Sequence, residues 1–217
     1  MFLQALEETG EVYQGHFGEF EVTKHDRIGV VVYRGALLVA ALAFAVGAIL
    51  ILRWGPQASV LNSLTALFLG FCAAMGVSLA TIHIYMVSLH RTLQVFWAIG
   101  TGAALWLCVR SAEPLAAAIY NHPVNLMAVG WIFVALTGLF FKEAFCFNRL
   151  ETKFLTFIAP VLLLGHWLQL LPIAAERSLL GAWAVLFLIF ALRKVVQPIP
   201  PDIGDKSVFT YLEEQKA

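Results

Sequence analysis

The chain has 217 residues, 60% of them hydrophobic and only 13% charged, with a mean hydropathy of +0.81. Fourteen Lys and Arg balance fourteen Asp and Glu, so no net field recommends nucleic acid or an acidic polymer as a partner. An apolar content this high excludes an ordinary soluble domain and places the chain in a lipid bilayer, as an all-α membrane protein.

The opening stretch MFLQALEETGEVYQG carries acids and lacks the basic start and apolar run of a secretory signal, so residues 1–27 are expected to persist as a tail. Alternation in EFEVT predicts a short extended segment with Phe20 and Val22 on one face. Crossing about 30 Å of hydrocarbon takes roughly 20 helical residues. The charge-free runs then give six candidate spans within residues 28–196, at about 30–52, 64–86, 92–109, 124–141, 154–172 and 176–196. GPQASVLN, ahead of the second, reads as a loop. PLAAAIY, ahead of the fourth, reads as a short interfacial helix, because Pro123 favours a helix start. The sixth is short and borrows Glu176, Arg177, Arg193 and Lys194, whose long side chains snorkel to the two interfaces. QPIPPDIG then stops the helix, and residues 197–217 form a second tail, in which DKSVFTYLEEQKA suits a short docking helix.

Six crossings put eleven of the fourteen Lys and Arg on the side of the termini and three, Arg53, Arg110 and Arg177, on the other. The positive-inside rule therefore predicts a compact bundle of six transmembrane helices with both termini cytoplasmic. In lipid, small residues at spacing four mark the faces on which helices meet. Ala66, Gly70, Ala74 and Ser78 form such a row and make the second helix the expected centre of the bundle.

KEAFCFNRLETK joins the fourth and fifth spans on the basic side. Its mixture of rings and charges suits a segment lying in the headgroup layer, with Lys142, Arg149 and Lys153 as topological anchors. Cys146 has no His or second Cys nearby in sequence to activate it. Cys72, Cys108 and Cys146 make neither a disulfide framework nor a zinc site, so no metal is expected.

No Asp, Glu, Lys or Arg falls in the middle of a predicted span, which argues against an ion-coupled carrier. His83 and His166 remain as candidate ligand or pore residues, with His83 and His90 on one helix face. At about 1.5 Å per residue His83 lies near the cytoplasmic end of its helix and His166 well up its own, which disfavours both on one haem iron. Arg53, Arg110, Glu113, His122, Glu176 and Arg177 have the chance to meet on the opposite surface. Hydrolase, zinc-protease and phosphate-loop motifs are absent from the sequence, so no catalytic residue is assigned.

YQGHFGEF, DRIGVVVYRG, FKEAFCFNRLETKFLT and LLLGH together resemble the pattern of a family of uncharacterised integral membrane proteins from cyanobacteria, with plastid relatives (domain of unknown function 2301). The resemblance runs from about Tyr13 to Val196. It implies a cytoplasmic or thylakoid membrane and a photosynthetic setting, with no assigned activity. It also implies that Lys142, Glu143, Cys146, Arg149 and Glu151 are a signature in a cytoplasmic loop that binds a partner complex. The expected function is a non-enzymatic membrane scaffold or assembly factor. The alternatives are a transporter or channel for a small neutral solute, lined by groups such as Ser78, Thr81, His83, Asn125, Thr137 and His166, and a chlorophyll, haem or quinone protein using His83 or His166. No cofactor is expected under the first reading.

Overall fold

A computed structural model of the chain describes residues 11–84 and 86–214; most of the opening stretch lies outside them. Among the described residues a two-stranded antiparallel hairpin, β1 (Val12–Gln14) and β2 (Glu19–Glu21), precedes ten helices. These are α1 (Lys24–Trp54), α2 (Ala58–Thr81), α3 (Val87–Arg110), α4 (Leu115–Asn121), α5 (Pro123–Val129), α6 (Trp131–Phe147), α7 (Leu150–Trp167), α8 (Ile173–Val196), α9 (Pro200–Ile203) and α10 (Ser207–Glu214).

Among the described residues four helices, α1, α2, α3 and α8, are long and apolar enough to cross a bilayer, or five if α5 and α6, joined at a 47° bend, count as one span. The 18-residue α7 falls short of that measure, with Glu151 and Lys153 in its first turn and Pro160 inside it. The chain is thus an all-α, multi-pass membrane protein. Its apolar surface says the same: Val39, Leu42, Val46 and Ile49 on α1, Phe157, Val161 and Leu164 on α7, and Val185, Ile189 and Leu192 on α8 all point outward. Such continuous apolar faces suit a lipid solvent and not water.

Consecutive neighbours close a ring: α1 packs on α2 and α8, α8 on α7, α7 on α6, α6 on α3, and α3 on α2. Large rings fill the space between α1, α2, α6 and α8. Phe44 lies 4.7 Å from Trp183, Phe133 5.4 Å from Trp183, and Phe140 5.3 Å from Phe187. Contacts of this kind hold helices together by dispersion and edge-to-face geometry where lipid supplies no hydrophobic drive.

Several expectations are corrected. GPQASVLN is not a loop: only Gly55–Gln57 connect α1 and α2, and helix resumes at Ala58. The polar start survives because the Ser63 and Thr65 hydroxyls donate to the Ser59 and Leu61 carbonyls one turn earlier, while Val60 is buried. At its other end α2 stops at Thr81 and not Met86, so His83 lies in a connection and shares no helix with His90.

The small-residue row holds over half its length. Ala74 and Ser78 are buried, whereas Ala66 and Gly70 face outward, and nothing stands within 4 Å of a side chain added at Gly70. A step of four residues turns a helix by about 400°, so such a row drifts roughly 40° per step and leaves the contact face. The face that α2 buries is built from Phe71, Cys72, Met75 and Leu79 instead, and α2 is one member of the ring, not its centre. Close backbone approach occurs elsewhere. A β-carbon at Gly100 of α3 would stand 2.4 Å from the Ile132 nitrogen, at the break between α5 and α6, and one at Gly76 would stand 2.4 Å from the Trp97 ring. Trp97 holds that place by donating from its indole nitrogen to the Cys72 carbonyl at 2.8 Å.

Candidate functional site

At the end of the ring where the termini lie, ionised side chains converge from four elements. Lys194 of α8 is 1% exposed and its ammonium is shared between Glu143 of α6, at 2.8 Å, and Asp202 of α9. Asp202 also takes Arg34 of α1, whose Nε donates at 2.7 Å while Nη2 donates to the Pro198 carbonyl at 2.8 Å. Lys142 reaches the other oxygen of Glu143 at 2.8 Å, and the Tyr33 hydroxyl donates to that same oxygen at 3.3 Å. The Phe147 ring covers the assembly, 4.2 Å from the Lys194 ammonium, a geometry in which the face of the ring adds attraction for the cation. Ions this deeply buried are tolerable only when each is paired and hydrogen-bonded, and this set meets that condition.

A neighbouring group extends it. Glu151 of α7 accepts from Arg193 at 3.2 Å through one oxygen. Its other oxygen lies 3.1 Å from the same guanidinium but off the line of a hydrogen bond. Arg149 donates to the Gln197 side chain at 3.0 Å, so the turn between α6 and α7 is tied to the segment that follows α8.

The two tails lock onto this end. Thr23 and Asp26 form a capping box at the start of α1, which satisfies orphan backbone donors there. Lys206 reaches Asp26 at 2.8 Å and the Glu21 carbonyl at 3.2 Å. In the hairpin turn, the backbone nitrogens of His16 and Phe17 donate to Asp205 at 2.6 Å and to Ser207 at 3.0 Å, while Phe17 stacks on Tyr211 at 4.0 Å. The His16 amide and the Ser207 hydroxyl hold the Asp205 carboxyl below its usual range. Val22, Val30, Ile199 and Ile203 pack beneath. Phe20 and Val22 do share a face, as the alternation required.

The predicted residues are distributed as follows. KEAFCFNRLETK is not a loop: α6 continues to Phe147 and α7 starts at Leu150, because Asn148 adopts the left-handed conformation (φ 51°) that turns the chain in two residues. Of the five signature residues, Glu143 and Glu151 point inward and Lys142 and Arg149 are partly covered, while Cys146 is exposed beside Phe145, itself 83% exposed. His83 sits near Asp26, 3.8 Å away, and burial pushes its ring toward the neutral form, below the usual imidazole range.

His166 lies at the opposite end, in the last turn of α7 and not deep in a span. Its ring contacts Glu176 at 2.6 Å and the Tyr120 carbonyl at 3.1 Å, and the Tyr120 hydroxyl donates to Glu176 at 3.0 Å. Both ring nitrogens are therefore taken. Of the six residues expected on this surface, Glu176 joins His166, Arg177 donates to the Leu52 carbonyl at 2.6 Å, and Arg110 and His122 share a cavity.

Arg34 and Asp202 are central without standing out in the sequence, and Lys194, expected to snorkel to the interface, is instead buried between Glu143 and Asp202. The available signal was their position: Arg34 and Lys194 lie within two turns of a long apolar run and Asp202 just after PIPP, where burial against the opposite tail is feasible.

A family model described as "Uncharacterized integral membrane protein (DUF2301)" matches residues 77–211, which include Glu143, Lys194 and Asp202. The chain belongs to this family. It is also similar to an "Uncharacterized protein" of Haemophilus influenzae, 30% identical over 184 residues that cover 85% of this chain and 91% of that one. No solved structure matches it. Membership in the integral membrane family agrees with the outward apolar faces and carries no activity with it.

Proposed function

We propose that this chain is a non-enzymatic membrane scaffold or assembly factor that presents a preformed surface to a membrane protein complex. The observation that carries the reading is the locking of both tails, through Asp205, Ser207, Lys206 and Asp202, onto one end of the ring. An ordered surface binds a partner without first losing conformational freedom. Beside it stand Phe145, Leu150 and Phe154, all exposed, with Lys153 and Cys146. Exposed aromatic rings of this kind are what interfaces favour. We assign the chain six crossings, with α7 completing the ring, and place both termini in the cytoplasm on the strength of the eleven-to-three partition of Lys and Arg. The membrane is the cytoplasmic or thylakoid one.

The transport reading has less support. Thr81 and Thr137 bond carbonyls of their own helices, Asn125 bonds the Ala118 carbonyl, and His83 and His166 lie at opposite ends. The cofactor reading has to use His83 alone, since the ring nitrogens of His166 are engaged.

Affinity capture at native abundance from several mild detergents tests the proposal. A stoichiometric membrane protein partner, lost from a Phe145→Asp, Lys153→Glu variant that still folds, is the expected result. Recovery of the chain alone in every detergent overturns it. The absorption spectrum of the same preparation decides the coloured cofactor readings, and a colourless sample eliminates them.

A further inference from the structure

At the end opposite the termini a cavity of about 460 Å³ opens between the last turn of α3 and the start of α5, lined by Leu107, Arg110, Ser111, His122, Asn125 and their neighbours Pro123 and Val124. Arg110 is the final residue of a 24-residue spanning helix, so its guanidinium stands at the depth where a bilayer changes from hydrocarbon to headgroup. It is held over the Trp106 ring at 4.8 Å, and Arg110 has no carboxylate partner among the described residues. The lining carries no carboxylate, while Ser111, His122 and Asn125 bring polar groups to the same wall. The mouth is apolar where Val124, 78% exposed, stands open toward lipid. A cation, polar side chains and a greasy lip at interface depth are the complement of one ligand chemistry, a phosphate ester carried on an acyl chain.

We propose that this cavity binds the phosphate of a phospholipid headgroup, with Arg110 and His122 on the phosphate and an acyl chain lying along Leu107 and Val124. Arg110 also stands where a basic residue complements the carbonyl end of α3. That role requires neither His122 nor the apolar mouth, and this separates the two.

The test is native mass spectrometry of the full chain, delipidated and then exposed to phosphatidylglycerol, to a diacylglycerol with the same chains, or to inorganic phosphate. The wild type is expected to retain one phosphatidylglycerol more than an Arg110→Gln, His122→Gln variant, with occupancy lowered about tenfold by loss of the charged hydrogen bonds. Val124→Trp, which fills the cavity and leaves every charge in place, is expected to lose the same lipid. Arg91→Gln, at the other end of α3, is expected to keep it. Retention unchanged in both cavity variants overturns the proposal. Equal retention of the diacylglycerol, or displacement of the lipid by inorganic phosphate, overturns the assignment of the phosphate to a lipid. Melting curves of the variants, superimposable with the wild type, exclude misfolding as the cause of a loss.

Discussion

The two ends of the helical ring treat charge in opposite ways. At the end that carries the termini, Arg34, Glu143, Lys194 and Asp202 are buried and mutually paired, and the tails close over them. At the other end Arg110 lies open over a tryptophan, Arg177 donates to a helix-end carbonyl, and the His166–Glu176–Tyr120 group remains partly exposed. The difference teaches that ion burial here follows from having chain available to cover it. Among the described residues, only one end owns a hairpin and a folded C-terminal segment. That end should be brittle, and the other tolerant.

The largest test of the contrast is Asp202→Ala, which leaves two cations buried without their shared carboxylate; a loss of about 3–5 kcal/mol is expected, read as thermal unfolding in detergent. A loss below 1 kcal/mol would show that water reaches the cluster. Next comes Gly100→Ala, which forces α3 away from the Ile132 backbone; a cost of about 1–3 kcal/mol in the same measurement is expected from overpacking. Glu176→Gln removes the carboxylate between His166 and Tyr120 at the exposed end, and at most about 1 kcal/mol should follow, because such pairs are solvent-screened.

Smaller still are two pH effects. Burial depresses the His83 pKa below its ordinary 6.5, so the unfolded chain takes up the proton more readily. Stability contributed by neutral His83 is present above that value and declines as the pH falls below it, and His83→Asn should flatten this slope. Asp26, Lys142, Lys206 and Asp202 face the ring and act on it with opposing signs. For Asp205 the folded value is also depressed, so its hold on the hairpin is complete above the ordinary carboxylate value and is lost as pH falls through the folded one. Asp205→Ala should open the Gly15–Gly18 turn to limited proteolysis at neutral pH and leave the melting of the ring unchanged.

Much of this was legible in the chain. The long apolar runs gave α8 to within three residues at both ends and the last residues of α1 and α3 to within two, but α1 and α3 begin five or six residues earlier than read, and the span at 124–141 ran across α5 into α6 and stopped six residues short; Pro123 marked the start of α5, and PLAAAIY was helical as read. The hairpin strand through Phe20 and the docking helix at Ser207 followed from alternation and from the stop at QPIPP. What could not be read was side-chain direction across helices. Glu143 and Glu151 look like surface acids in KEAFCFNRLETK because their partners, Lys194 and Arg193, lie more than 40 positions away. Ala66 and Gly70 looked like a packing row because a spacing rule does not say which face a neighbour occupies. His166 looked deep because the helix carrying it was expected to run to residue 172, and it stops at Trp167.

The clasp between His16 and Asp205 joins residues 189 positions apart. During synthesis the N-terminal hairpin is made first, yet the carboxylate and hydroxyl that receive its backbone amides do not exist until nearly the whole polypeptide has been translated. Maturation of this face is therefore a late event, after α8 has been released into the membrane, and a chain truncated before Asp205 inserts with this end of the ring unfinished.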